Sequence, residues 1–188
     1  MEDLYTDKRP GYEYLAAYRL GKVIQDLAVQ FCERWISRDS RTHDQIVQAA
    51  RSNPQNIAEG YTAESLKSYI YLAGIAHGSN EELAKDMQDF LRQRKLQAWP
   101  KTDERVRAFR EFRAEWISPT TLNTPALPNN PEAAANMILT LCQMEGYLLA
   151  RLTKSLKRKH ETEGGLTENL YKKRIEYRNQ TRRNSRGY

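Results

Sequence analysis

Apolar residues return every three or four positions along four long stretches of this chain, and no stretch alternates apolar with polar residues long enough to make a sheet. That periodicity restricts the fold to packed helices. Between Tyr12 and Ile36 the stripe is Leu20, Val23, Ile24, Leu27, Phe31 and Trp35. After "SRDSRTHD", where Asp39 or Ser40 can cap a helix, a second stripe runs through Ile46, Ala49, Ala50, Asn53 and Ile57. A third, from about Ala63 to Leu96, carries Leu66, Tyr69, Ala73, Ala76, Leu83, Met87, Phe90 and Leu91. Within it Ala73, Gly74, Ala76, Gly78 and Ser79 form a small-residue patch where another backbone is expected to approach. The fourth opens at "NNPEAAANM", with Asn130 as cap, Pro131 at the first helical position and Glu132 in the first turn. It continues through Ala134, Met137, Ile138, Leu141, Met144, Leu148 and Leu152 to about Lys159.

Four such helices predict an all-α fold, an antiparallel up-down four-helix bundle. The connection between helices three and four, 97–130, is long. Within it "DERVRAFREFRAEWI" sets Val106, Phe109, Phe112 or Arg113, and Trp116 at helical steps, so an extra short helix is expected there. The expected organisation is a bundle over 1–160, including this insertion, followed by a basic C-terminal suffix over 161–188.

The second stripe contains a proline. The spacing 46, 50, 53, 57 runs straight through Pro54, which predicts a kinked but continuous helix. The other reading makes Ser52–Asn53–Pro54 a turn between two short helices. Gly60 is expected to end the segment in a left-handed cap. Asn56 and Glu59 are expected to bond backbone groups that Pro54 frees and to tie neighbouring helices together.

Charge is distributed unevenly. Residues 1–150 hold 18 Lys+Arg against 20 Asp+Glu, whereas 151–188 hold 12 against 4. The whole of the net +6 therefore comes from the C-terminal fifth, an electrostatic footprint for a phosphate polyanion. Arg151, Lys154, Lys157 and Arg158 fall on one flank of helix four, opposite Leu148, Leu152 and Leu156. Past "EGG", read as a helix stop, Lys172, Lys173, Arg174, Arg178, Arg182, Arg183 and Arg186 interleave with Tyr171, Tyr177 and Tyr188. Thr167 and Glu168 can open a short helix there. Arginine binds phosphate and stacks on bases, and tyrosine offers a stacking face. These residues are the expected nucleic-acid-binding set, with a merely solvated tail as the alternative.

Nothing in the sequence forms a catalytic constellation. His43, His77 and His160 are scattered without metal-ligand spacing, and no phosphate loop or nucleophile elbow is present. No cofactor and no metal is expected, and an enzyme is not. Cys32 and Cys142 read as small core residues. No apolar run approaches a membrane span, and the acidic N-terminus is no secretory signal, so a cytoplasmic location is expected.

"YEYLAAYRL", "SNPQNIAEGY" and "YLAGIAHGSNEEL" together resemble a bacterial four-helix-bundle protein family. That family includes the proteins encoded in intervening sequences of large-subunit ribosomal RNA genes and the accessory variability determinant of diversity-generating retroelements. The resemblance rests on Ser52, Pro54, Asn56, Ile57, Ala58, Glu59 and Gly60, then on Ala76, Gly78, Ser79, Glu82 and Leu83. "ETEGGLTENLYKKRIEYR" looks like a variant with an added suffix, while the 97–130 insertion departs from the compact family pattern. The resemblance implies a non-enzymatic bundle, often a homo-pentamer, whose basic surface contacts RNA or DNA and a reverse transcriptase. The competing expectation is a structural, protein-interacting bundle with an apolar groove around Trp99, Phe109 and Trp116 and no nucleic-acid role.

Overall fold

The computed structural model describes residues 10–111 and 122–184, with side chains as far as Thr181. A 3-10 turn, Gly11–Tyr14, precedes α1 (Ala16–Trp35), α2 (Arg41–Thr62), α3 (Leu66–Gln93), α4 (Glu104–Glu111), α5 (Pro131–Glu163) and α6 (Leu166–Asn184). Among the described residues there is no strand. The protein is an all-α helical bundle. Three of its helix starts are built by side-chain caps that satisfy otherwise orphaned N–H groups. Ser40 Oγ accepts from the Thr42 N–H at 3.2 Å, Ser65 Oγ from Ser68 at 3.1 Å and Asn130 Oδ1 from Ala133 at 3.1 Å.

The four long helices pack in ring order: α1 touches α2, α2 touches α3, α3 touches α5, and α5 returns to α1. The predicted stripes face inward. Leu20, Ile24, Leu27 and Phe31 of α1, Ile46 of α2, Leu83, Met87 and Leu91 of α3, and Ile138 and Leu141 of α5 are all buried. Phe31 meets Phe90 edge-on, with ring centroids 4.7 Å apart. Cys32 and Cys142 are buried and unpaired, as expected of core residues. Burial pushes the Cys32 thiol up to about 12 and that of Cys142 well above its ordinary value.

A second apolar group, Ala17, Ile57, Ala76 and Leu149, lies farther along the bundle. Between the two groups, each long helix contributes to a polar layer. Asn53 of α2, Asn80 of α3 and Glu145 of α5 are buried, Ser79 is nearly so, and α1 supplies Gly21. Ser79 Oγ donates to Ser52 Oγ across the α2–α3 seam at 2.9 Å. Asn80 Nδ2 donates to the Cys142 carbonyl across the α3–α5 seam at 2.9 Å. A polar layer penalises any slip of one helix along another, because a shifted register would bury these groups against apolar neighbours.

Pro54 lies inside a continuous α2, so the helix does run through the proline and the turn reading does not hold. Gly60 departs from expectation. The helix passes through it to Thr62, and Ala63 ends it in an extended conformation, so no left-handed cap forms. Gly60 is needed for space instead: a β-carbon there would run into the Tyr69 ring on α3. The small-residue patch also divides. Ala73, Ala76 and Ser79 are buried, whereas Gly74 and Gly78 face outward with nothing within 4 Å of a β-carbon.

The long connection is tied to the start of α5. Asn136, buried on α5, accepts from the Trp99 N–H at 2.8 Å and donates to the Gln97 carbonyl at 2.8 Å. The Trp99 indole donates to Glu132 at 2.9 Å, and Gln97 N–H donates to the same carboxylate at 3.0 Å. These two donors, the Gln97 N–H first, hold the Glu132 carboxyl below its usual range. Arg105 lies 3.5 Å from the Trp99 ring centroid, and Phe109 stacks on Trp99. Trp99 and Phe109 therefore close a latch rather than line an apolar groove. Phe112, Arg113 and Trp116, expected in the same helix, lie outside the described residues.

Candidate nucleic-acid interface

The last two helices carry the positive excess, and their geometry follows from two glycines. α5 runs past the expected Lys159 to Glu163 and ends at Gly164, whose φ of 77° lies in the region that glycine occupies without strain. Gly164 N–H donates back to the His160 carbonyl at 3.0 Å. Gly165 then turns the chain into α6, and its N–H is taken by Glu168 Oε2 at 3.2 Å. An acidic side chain in the first turn suits the positive end of the helix.

Along α5, Arg151, Lys154, Lys157 and Arg158 are all exposed, while Leu156 is buried and Leu148 and Leu152 pack against the core. Arg151, Lys154 and Arg158 follow i, i+3, i+7 and form one outward ridge about 10 Å long. Tyr147, 64% exposed, stands one turn earlier on that ridge, with the Arg151 guanidinium 5.8 Å from its ring centroid. On α6, Lys172, Lys173, Arg174 and Arg178 are exposed beside Tyr171 and Tyr177, and no described side chain of the helix is buried. Arg182 and Arg183 fall within α6, but their side chains, like all of Arg186 and Tyr188, lie outside the described residues. Tyr171, Arg174 and Arg178 occupy one side of α6, and Glu168, Lys172 and Glu176 follow one another at i+4 on another. Lys159 pairs with Glu163 at 3.8 Å. None of the other cations named on α5 and α6 forms an ion pair among the described residues. Their charge is left to solvent and to whatever anion approaches.

The proline segment lies elsewhere and does a different job. Asn56 Nδ2 donates to the Ser52 carbonyl at 2.7 Å and to Ser52 Oγ at 3.0 Å, and Ser52 Oγ also receives Ser79. Glu59 accepts from Gln55 at 3.2 Å within the same helix. Asn56 therefore braces the seam to α3 through Ser52, one turn back, while Glu59 bonds only along α2. Asn56 and Gly60 set how α2 meets α3, and Pro54 and Gly60 each line a separate surface cleft.

Three residues of the polar layer, Asn80, Glu145 and Gly21, escaped the sequence reading. Glu145 is completely buried, and desolvation holds its carboxyl well above the usual range, opposed only in part by Asn53. The signal was present, since 141, 145, 149 and 152 continue the apolar spacing of α5 and one of them is an acid. Gly21 is its counterpart on α1, and a helical glycine without a turn residue beside it was the available sign. Among the described residues no group of three or more His, Cys, Asp or Glu side chains converges to hold a metal.

Neither a curated protein nor a solved structure matches the chain. Residues 14–106 do match the model of the 23S rRNA-intervening sequence protein family. That span holds α1 to α3 with the Ser52–Gly60 and Ala76–Leu83 signatures, and stops before the basic ridge. Of the signature residues, Ser52 and Ser79 bond across the α2–α3 seam, Gly60 admits the Tyr69 ring, and Ile57, Ala76 and Leu83 are buried in the core. Over this stretch, 93 of its 188 residues, the chain is similar to the family of 23S rRNA-intervening sequence proteins.

Proposed function

We propose that this protein is a non-enzymatic accessory protein that binds RNA through the basic ridge of α5 and through α6. The observation that carries the reading is the run of exposed cations at Arg151, Lys154, Lys157, Arg158, Lys172, Lys173, Arg174 and Arg178, without ion-pair partners among the described residues and interleaved with exposed tyrosines. Phosphate contacts by such residues supply affinity without a shaped pocket. The ribosomal RNA context in the family's name supports RNA as the polyanion. Arg182 and Arg183 extend the same set by sequence.

The resemblance supports three finer points. The four long helices run antiparallel, up and down, and the pairs Ser52–Ser79, Asn80–Cys142 and Gly60–Tyr69 are consistent with that order. The protein acts in the cytoplasm as a homo-oligomer, a pentamer, which multiplies the basic ridges around one axis and raises avidity for a long polyanion. A reverse transcriptase of a diversity-generating retroelement is its protein partner. No helix of the described residues is long and apolar enough to cross a membrane. The bundle occupies 1–160 and the suffix 161–188.

Binding of the full chain and of residues 1–164 to structured RNA and to duplex DNA, each at two salt concentrations, tests the reading. It expects RNA binding by the full chain that falls steeply with salt, with weaker binding by the truncated chain. Absence of binding to either nucleic acid at low salt sinks it, and the bundle is then better treated as a protein-interaction scaffold.

A further inference from the structure

One cleft joins the insertion to the basic ridge, and its lining combines the side chains that nucleotides need. It encloses about 240 Å³ between α4 and α5. Lys101 and Arg110 come from the insertion, and Gln143, Met144 and Tyr147 from α5. No acidic side chain is among these described residues. Arg110 Nε is shut from solvent and has no hydrogen-bond partner among the described residues. Tyr147 is mostly exposed at the rim and has the Arg151 guanidinium near its ring. Gln143, exposed one turn before Tyr147, offers both a donor and an acceptor.

We propose that this cleft binds one unpaired nucleotide of a single-stranded RNA, its base stacked on Tyr147 and its phosphate held by Lys101, Arg110 and Arg151. The proposal rests on the RNA-binding reading above and adds to it a location, a strand type and four residues that precede the C-terminal segment, Lys101, Arg110, Gln143 and Tyr147. The volume is below the roughly 300–1,000 Å³ of a pocket that takes a whole small ligand. It suits a single unit of a longer strand whose remaining phosphates follow the ridge through Lys154 and Arg158. A duplex cannot use the tyrosine, because its bases are already stacked on one another. Gln143 lies within reach of a base edge and gives the site a means of preferring some bases over others.

The α4 insertion thus has a purpose that the ridge by itself does not reveal. It brings two cations to the N-terminal end of the ridge, where α5 carries none. The latch of Trp99, Arg105 and Glu132 holds that insertion against α5, so the cleft wall is fixed in place.

The test uses the full chain and a fluorescein-labelled single-stranded RNA of about twelve nucleotides, a length within common single-strand site sizes. The same strand annealed to its complement is the second probe. Fluorescence anisotropy is read for the wild type, Tyr147→Leu, Tyr147→Phe and Arg110→Gln. Tyr147→Leu is expected to weaken single-strand binding roughly ten-fold and Tyr147→Phe to retain it, with duplex binding unchanged by either. Arg110→Gln is expected to weaken single-strand binding and to lower its salt slope by about one. If the wild type binds neither probe, the wider RNA reading fails and this inference with it. If the wild type binds the single strand but Tyr147→Leu changes nothing, or weakens both probes alike, the nucleotide cleft is refuted while the wider reading stands. Tyr147 is exposed, so unaltered thermal unfolding of each variant is the expected control.

Discussion

Gly21 on α1 faces the Glu145 carboxyl of α5 so closely that a β-carbon on the glycine would come 2.7 Å from Oε1, and 3.1 Å from the Asn53 side-chain oxygen Oδ1. Three helices therefore meet at one point around a fully buried acid. Neither carboxyl oxygen has a hydrogen-bond partner among the described residues, although the Asn53 amide is close enough to pull the carboxyl's proton affinity down. A neutral carboxylic acid can donate its proton to the nearby Asn53 Oδ1. Burial favours that neutral form.

Gly21→Ala and Gly74→Ala should change stability in opposite directions. At Gly21 the new methyl must displace a buried carboxyl, costing about 1–3 kcal/mol. At Gly74 nothing lies within 4 Å, so removing a helical glycine should gain about 0.5–1 kcal/mol. Urea unfolding of both variants decides, and a loss at Gly74 would locate a second chain on that face of α3.

The pH dependence of stability should follow Glu145. Its carboxyl ionises near the ordinary 4.5 in the unfolded chain and stays neutral far above that in the fold. The stabilisation tied to the retained proton is complete below that pH and declines as pH rises, by about 1.4 kcal/mol per unit. Asp86, raised to about 6 first by desolvation and then by Glu82 and Asp89, adds a loss of the same sign between its ordinary 3.8 and that value. Glu145→Gln should therefore melt higher than the wild type at pH 8 and show little advantage at pH 4.5. An equal difference at both pH values would show that Glu145 does not carry the dependence.

Ser52 and Ser79 should be energetically coupled. Ser52→Ala leaves the Ser79 hydroxyl without its acceptor and Asn56 with only the Ser52 carbonyl, a cost of about 1–2 kcal/mol. Ser79→Ala in the Ser52→Ala background should cost less than it does by itself. Strict additivity in a double-mutant cycle would mean that the bond contributes nothing.

Asn136→Ala should loosen the connection without unfolding the bundle. It removes the acceptor of the Trp99 N–H and the donor to the Gln97 carbonyl, at about 2–3 kcal/mol. Amide exchange is the readout, with protection of Trp99 falling far more than that of the α1 core. Uniform loss across both would argue against a local latch.

Deleting the suffix should leave the bundle intact. No described side chain of α6 is buried, so residues 1–164 should unfold within about 0.5 kcal/mol of the full chain. A clear drop in melting temperature would mean that α6 packs on another surface in solution.

Helix number, the four apolar stripes and the caps at Ser40 and Asn130 are legible in the sequence, because each depends on neighbours within a few residues. The continuity of α2 through Pro54 was legible for the same reason, since the stripe keeps its phase across the proline. Charge segregation is likewise a local property, and it placed Arg151, Lys154 and Arg158 on one flank before any coordinates were needed. Local pattern misread Gly60. Six residues after a proline it resembles a stop, but it is there to admit the Tyr69 ring from another helix. Gly21, Glu145, the Ser52–Ser79 bond and the meeting of Arg110 with Tyr147 were decided only by tertiary structure. Each joins residues tens of positions apart in the chain, and only the packing of one helix against another sets the distances between them.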